Sequence, residues 1–127
     1  MNKHTFTAGK YYIGDPCYVV RDGSWAKLIK DTGCFGLEID GKNWDDGKFT
    51  YRGKPCFAMG TAYGDGCYSD NQGGEYGVDA GLIGILPVDV CTKSGLKLGR
   101  VVEFPNDFDV YEFDGVFRFG HLKIDTN

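Results

Sequence analysis

The sequence predicts an all-β protein, an antiparallel barrel or sandwich built of hairpins with one short α-helix. Three observations carry that prediction. Glycine supplies 20 of the 127 residues, about twice its usual share. Aromatic residues reach 15%, and aromatics favour strands. Asp-Gly occurs five times, at 22–23, 40–41, 46–47, 65–66 and 114–115. That dipeptide suits the type I′ hairpin turn, whose two central residues both need positive φ.

A chain of 127 residues buries one core and reads as a single β-rich domain, 1–127. The first strands are expected at KYYIG (10–14) and CYVV (17–20). Between them Gly14-Asp15-Pro16 makes a turn, because proline fixes φ and removes a donor. SWAKLIKDTG predicts a helix at about 24–32, with Ser24 as N-cap and Gly33 as its stop. Trp25, Leu28 and Ile29 share one face, and a helix this short needs Trp25 packed on the sheet. CFGLEI (34–39), KFTYR (48–52) and CFAMGTAY (56–63) follow as strands.

Residues 61–81, TAYGDGCYSDNQGGEYGVDAG, are dense in Gly, Asp and Tyr. Read as hairpin chemistry, GDG (64–66) is a tight turn, CYS begins a strand and DNQGG (70–74) is the next turn. EYGVDAGLIGIL then returns into the core. GLIGIL (81–86), VDVCT (88–92) and GRVVEF (99–104) are the next strands. The clearest hairpin is VYEF-DG-VFRF, in which Phe113 faces Val116 and Tyr111 faces Arg118. Val110 and Glu112 then share the other face with Phe117 and Phe119.

The formal net charge is −4 and the pI about 5.0. With no run of Lys and Arg, direct nucleic-acid binding is disfavoured. No apolar stretch approaches the ~18 residues of a membrane span. The N-terminal residues lack a signal-peptide core, so a cytoplasmic protein is expected, in the host cytoplasm if phage-encoded. Cysteines stand at 17, 34, 56, 67 and 91 with no CxxC pair. They read as buried structural thiols rather than as zinc ligands or disulfides. His4 and His121 lie near opposite ends, and neither accompanies a nucleophile motif. No catalytic residue, metal or cofactor is therefore assigned.

Two regions could still bind something. The first set of ligand-binding candidates is Asp15, Trp25, Tyr63, Asp65, Tyr68 and Asp79. Turn glycines let a ligand approach the backbone closely, and Tyr63, Tyr68 and Trp25 would wall a nucleotide. A phosphate there would need Lys10, Arg21 or Arg52. Asp70 and Glu75 add to the acids of this stretch, but the spacing is not that of a calcium loop, and the phosphate-loop patterns are absent. If Asp15, Asp65 and Asp79 converge, they suit acid–base work or a divalent metal. The second region, EFPNDFDVYEFDG (103–115), offers Glu103, Phe104, Asp107, Phe108, Asp109 and Tyr111 to a protein partner. There aromatics would supply area and acids would steer a basic surface. The same pattern also describes an amphipathic edge with rings inward and acids outward.

Taken together, YYIGDPCY (11–18) and TAYGDGCY…YGVDAGLIG resemble a group of small phage and bacterial proteins. These share a GDPCY-type element near the N-terminus and a YGDGxY element followed by VDAG. The resemblance covers only part of the chain and brings no catalytic residue to Asp15, Asp65 or Asp79. It implies a small accessory protein that binds a host protein or sequesters a nucleotide signal. The function expected is thus a non-enzymatic binding protein, a phage accessory that inhibits a host defence protein. The alternatives are a small-molecule binder such as a nucleotide-signal sponge, and a divalent-metal-dependent hydrolase. A homo-oligomer would be a natural way to cover a sheet edge.

Overall fold

The structure, a computed structural model, describes residues 3–20, 38–39, 42–43, 47–79 and 81–127. Two antiparallel sheets dominate it. The smaller takes its strands in the order β1 (His4–Phe6), β11 (Phe108–Phe113), β12 (Val116–Phe119) and β13 (Leu122–Asp125). The larger runs β10 (Arg100–Phe104), β2 (Gly9–Gly14), β9 (Leu82–Pro87), β6 (Lys54–Gly60) and β5 (Lys48–Tyr51). Two short ribbons add β3 (Glu38–Ile39) with β4 (Lys42–Asn43), and β7 (Gly66–Ser69) with β8 (Glu75–Val78). The main sheets pack face to face as a sandwich and do not close into a barrel.

The core between them is aromatic. Phe6, Val110, Phe117, Phe119, Leu122 and Ile124 of the smaller sheet meet Tyr11, Ile13, Phe57, Ile83, Ile85 and Phe104 of the larger. Period-2 alternation sends the remaining side chains of the larger sheet to its far face. There Tyr12, Phe49, Tyr51, Cys56, Ala58 and Leu86 form a second core with Val19, Val20, Val90 and Cys91. Short 3-10 turns at Pro16–Tyr18, Val88–Val90 and Lys93–Leu98 cover that face. The central strands are thus buried on both sides, which explains runs such as LIGIL with no polar residue to alternate with.

The chain passes between the sheets at one corner. β1 pairs with β11 in one sheet and β2 with β10 in the other, with Phe6 opposite Phe108 and Gly9 opposite Phe104. Phe104 and Phe108 stack there with ring centroids 3.8 Å apart, and Tyr11 sits edge-on to both at 5.9 and 5.2 Å.

The 110–119 hairpin adopts the expected register: Phe113 opposes Val116, Tyr111 opposes Arg118 and Glu112 opposes Phe117. Its turn has φ of 51° at Asp114 and 81° at Gly115, the positive pair that Asp-Gly accommodates. DNQGG also turns as expected, with the Asp70 N–H donating to the Gly74 carbonyl at 2.8 Å. Ile39 pairs with Lys42, the register a two-residue connection requires. The expected helix at 24–32 lies outside the described residues.

Several expected elements differ. CYVV (17–20) is not a strand: Asp15 caps and Pro16 opens a 3-10 turn, and Val19 and Val20 serve as cover for the second core. VDVCT (88–92) likewise turns after Pro87, leaving Val90 and Cys91 buried. GDG (64–66) does not join two paired strands, because β6 pairs with β5 and β9 while β7 pairs with β8. EYGVDAGLIGIL divides between β8 and β9, which belong to different sheets. β1 and β13 are additional strands. Among the described cysteines Cys56 and Cys91 are buried, but Cys67 is exposed and Cys17 half-buried, so burial does not hold for the whole set.

Candidate functional site

The two motifs that seemed to belong together clasp each other. Asp15 is fully buried. Its Oδ1 accepts the Cys17 N–H of its own turn at 3.0 Å, as an N-cap carboxylate does. Its Oδ2 accepts the N–H of Asp79 at 2.8 Å, across 64 residues of chain. Tyr18, at the end of the same 3-10 turn, donates its hydroxyl to the Asp79 carboxylate. That bond, with lesser help from burial and nearby acids, holds the Tyr18 phenol above the usual tyrosine range. Tyr12 donates to the Asp15 carbonyl at 2.8 Å, and burial pushes its phenol up as well. GDPCY and VDAG are therefore two halves of one joint between the β2 end and the β8–β9 connection. Both Asp15 oxygens accept backbone N–H groups, so this carboxylate ties the two segments together.

Asp65 does not join this pair in a metal-binding group. It is exposed at the foot of β7, and among the described residues no three His, Cys, Asp or Glu side chains gather to hold a metal ion. Tyr63 is 75% exposed. Tyr68 turns back to brace its own loop, donating to the Gly64 carbonyl at 2.8 Å and to Thr61 Oγ1 at 3.2 Å. Trp25 and Arg21 lie outside the described residues. Arg52 lies over the Tyr51 ring, 5.3 Å from its centroid.

A second buried carboxylate pins the 70–74 turn. Asp70 Oδ1 accepts the N–H groups of Gln72 and Gly74, each at 2.8 Å. Its Oδ2 accepts the Tyr76 hydroxyl at 2.6 Å and an Arg100 N–H at 3.1 Å. Burial alone would raise the Asp70 carboxyl, but bonds from Tyr76, Gly74 and Gln72, with the Arg100 charge, hold it below the usual range. Asn71 then grips β13: it accepts the Lys123 N–H at 2.9 Å, and its own N–H donates to the Lys123 carbonyl at 3.1 Å. The Gly-rich stretch is a hairpin bolted to both sheets.

A cleft of about 320 Å³ opens beside the sandwich corner, lined by Thr7, Lys10, Tyr11, Lys54, Pro87 and Asp89 among others. Lys54 and Asp89 approach to 3.8 Å across it, and both are largely exposed.

The 103–115 region is sorted by the corner. Phe104 and Phe108 are buried and take part in the core. Glu103 is exposed and stands opposite Lys10 in the larger sheet. Asp107 accepts the Ala8 N–H at 2.9 Å, and Glu112 caps the next turn by accepting the Gly115 N–H at 2.8 Å. Only Asp109 and Tyr111 remain on the outer face of the smaller sheet, where Phe113 is 55% exposed. Beside Tyr111 stand three cations, of which the sequence placed Arg118 alone. Lys3 Nζ lies 5.0 Å from the Tyr111 ring centroid. Arg118 pairs with Tyr111 on β12, and Lys123 pairs with Arg118 on β13. Alternation in LKID carries the signal for Lys123, once 122–125 is read as a strand with Leu122 and Ile124 inward.

No family model matches the sequence, and no curated protein or solved structure is similar to it. Among the described residues no helix is long and apolar enough to cross a membrane.

Proposed function

We propose that the chain is a small non-enzymatic binding protein, of the kind a phage directs at a host defence protein. The observation that carries this reading is the outer face of the smaller sheet. Phe113 is 55% exposed there, on the same face as Tyr111 and the aliphatic Val116. An aromatic that serves neither core nor turn, ringed by charge, is the composition of an interaction surface. The resemblance to small phage proteins supports the host-protein side of the reading. Retention from bacterial lysate at near-physiological salt, compared between the native chain and Phe113→Ser with Tyr111→Ser, tests it. Partner retention that the double substitution abolishes is expected. A native chain that retains nothing, or equal retention by both, contradicts it.

The corner cleft favours a second reading, a binder of small anionic molecules such as nucleotides, because Lys10 and Lys54 both line it. A thermal upshift with a member of a nucleotide panel, lost in Lys10→Ala with Lys54→Ala, is the result that reading requires.

A further inference from the structure

The acids of 103–115 suggested a basic partner. The geometry points to the opposite: we infer that the outer face of the smaller sheet docks an acidic protein segment, through a row of three cations that runs from Lys3, just before β1, past Tyr111 to β12 and β13. This assignment rests on the binding reading above and names the partner's chemistry.

The row consists of Lys3, Tyr111, Arg118 and Lys123. Arg118 stands opposite Tyr111, Lys123 stands opposite Arg118, and Lys3 lies over the Tyr111 ring from the β1 side. All four point outward, because Val110, Phe117, Phe119, Leu122 and Ile124 point into the core between them. Directly opposed like charges disfavour strand pairing. A chain with 18 Asp and Glu against 14 Lys and Arg has acids to spare for neutralising such a row. Yet neither ion pair of the described residues, Lys54–Asp89 and Asp70–Arg100, involves it. Two acids share this face without an ion pair to the row: Asp109 stands opposite Thr5 at one end, and Asp125, opposite Val116, feels the Lys123 charge while its carboxylate accepts the Asn127 N–H at 3.0 Å, so three cations face two acids. The acids nearest in sequence, Asp107 and Glu112, are engaged by backbone N–H groups.

A partner for this row supplies carboxylates to three cations and an apolar side chain to Phe113 and Tyr111. A protein segment with interspersed acidic and apolar residues has both. A single-stranded nucleic acid offers phosphates and stacking bases, but the rest of this acidic surface, with a net charge of −4, repels it.

The test is an amide NMR titration of the full chain with three probes: a peptide alternating Glu with Phe and Leu, the same peptide with Lys for Glu, and a single-stranded oligonucleotide. The acidic peptide is expected to shift Tyr111, Arg118 and Lys123. Its affinity should fall about tenfold or more between 50 and 300 mM salt (roughly the loss when a few counterions are exchanged) and vanish in Arg118→Glu with Lys123→Glu. That variant again opposes two like charges, so it should melt close to the native temperature, showing that the loss is not unfolding. Shifts with the basic peptide, tighter binding of the oligonucleotide, or no shift with any probe would overturn the assignment. If a partner recovered from lysate is retained equally by the charge-reversed chain but lost on Phe113→Ser with Tyr111→Ser, the binding reading stands and the acidic-partner assignment falls.

Discussion

The two sheets of the sandwich solve different problems. The larger is covered on both faces, by the smaller sheet on one side and by three 3-10 turns on the other. Among the described residues the smaller is covered on one face only, and its outer face carries Tyr111, Phe113, Arg118 and Lys123. Where both faces are buried, residue choice answers to packing. Where one face is open, residue choice is free to answer to something else. The difference separates residues that hold the protein together from residues that can be asked what it does.

Substitution should expose this difference as a steep gradient. The largest loss is expected in the doubly covered sheet. Phe57 is 1% exposed between the sheets, and Phe57→Ala should cost about 3–5 kcal/mol in chemical denaturation. A cost near 1 kcal/mol would mean that the inner face is not close-packed.

Next comes the pin that joins the 70–74 hairpin to the larger sheet. Asp70→Asn removes the charged acceptor of Tyr76 and Arg100, and should cost about 2–3 kcal/mol. The effect carries a pH signature. The Asp70 carboxyl lies below its ordinary range in the folded protein. Its contribution is therefore complete above the ordinary carboxylate pKa of about 4 and is lost as pH falls through the lower, folded value. Melting curves of the two proteins should converge on acidification. A constant gap down to pH 2 would show that the charge is not what holds the turn.

A smaller loss is expected at the open sheet's turn. Gly115 has φ of 81°, and Gly115→Ala should cost about 1–2 kcal/mol because an L side chain strains that conformation. On the open face itself the sign should change. Lys123→Glu places an acid opposite Arg118, worth about 0.2–1 kcal/mol, less what is lost with the attraction between Lys123 and the exposed Asp125, so a small net gain is expected. A clear destabilisation would show that Lys123 already has a structural task.

The sequence made the open sheet easier to read than the covered one, for the same physical reason. VYEF-DG-VFRF alternates and carries its own turn, so its register followed from local rules. In the doubly covered sheet apolar runs carry no alternation to mark which residues are strand. CYVV and VDVCT are as apolar as the strands around them, yet they form covering turns, and only Pro16 and Pro87 hint at the break. The GDPCY–VDAG joint was legible as a pair of motifs but not as a contact, because the bond from Asp79 to Asp15 spans 64 residues. The cationic row was hidden for a related reason. The hairpin put Arg118 opposite Tyr111, but Lys3 and Lys123 stand singly in sequence, and only the structure lines them up with it.

Binding and stability measured together on Arg118→Glu with Lys123→Glu test the central claim most directly. If the outer face serves a partner and not the fold, thermal denaturation will show a melting temperature close to that of the native chain, because one opposed like-charge pair replaces another, while the acidic peptide no longer binds. A melting temperature lowered as far as that of a core variant, or binding that survives charge reversal, would contradict it.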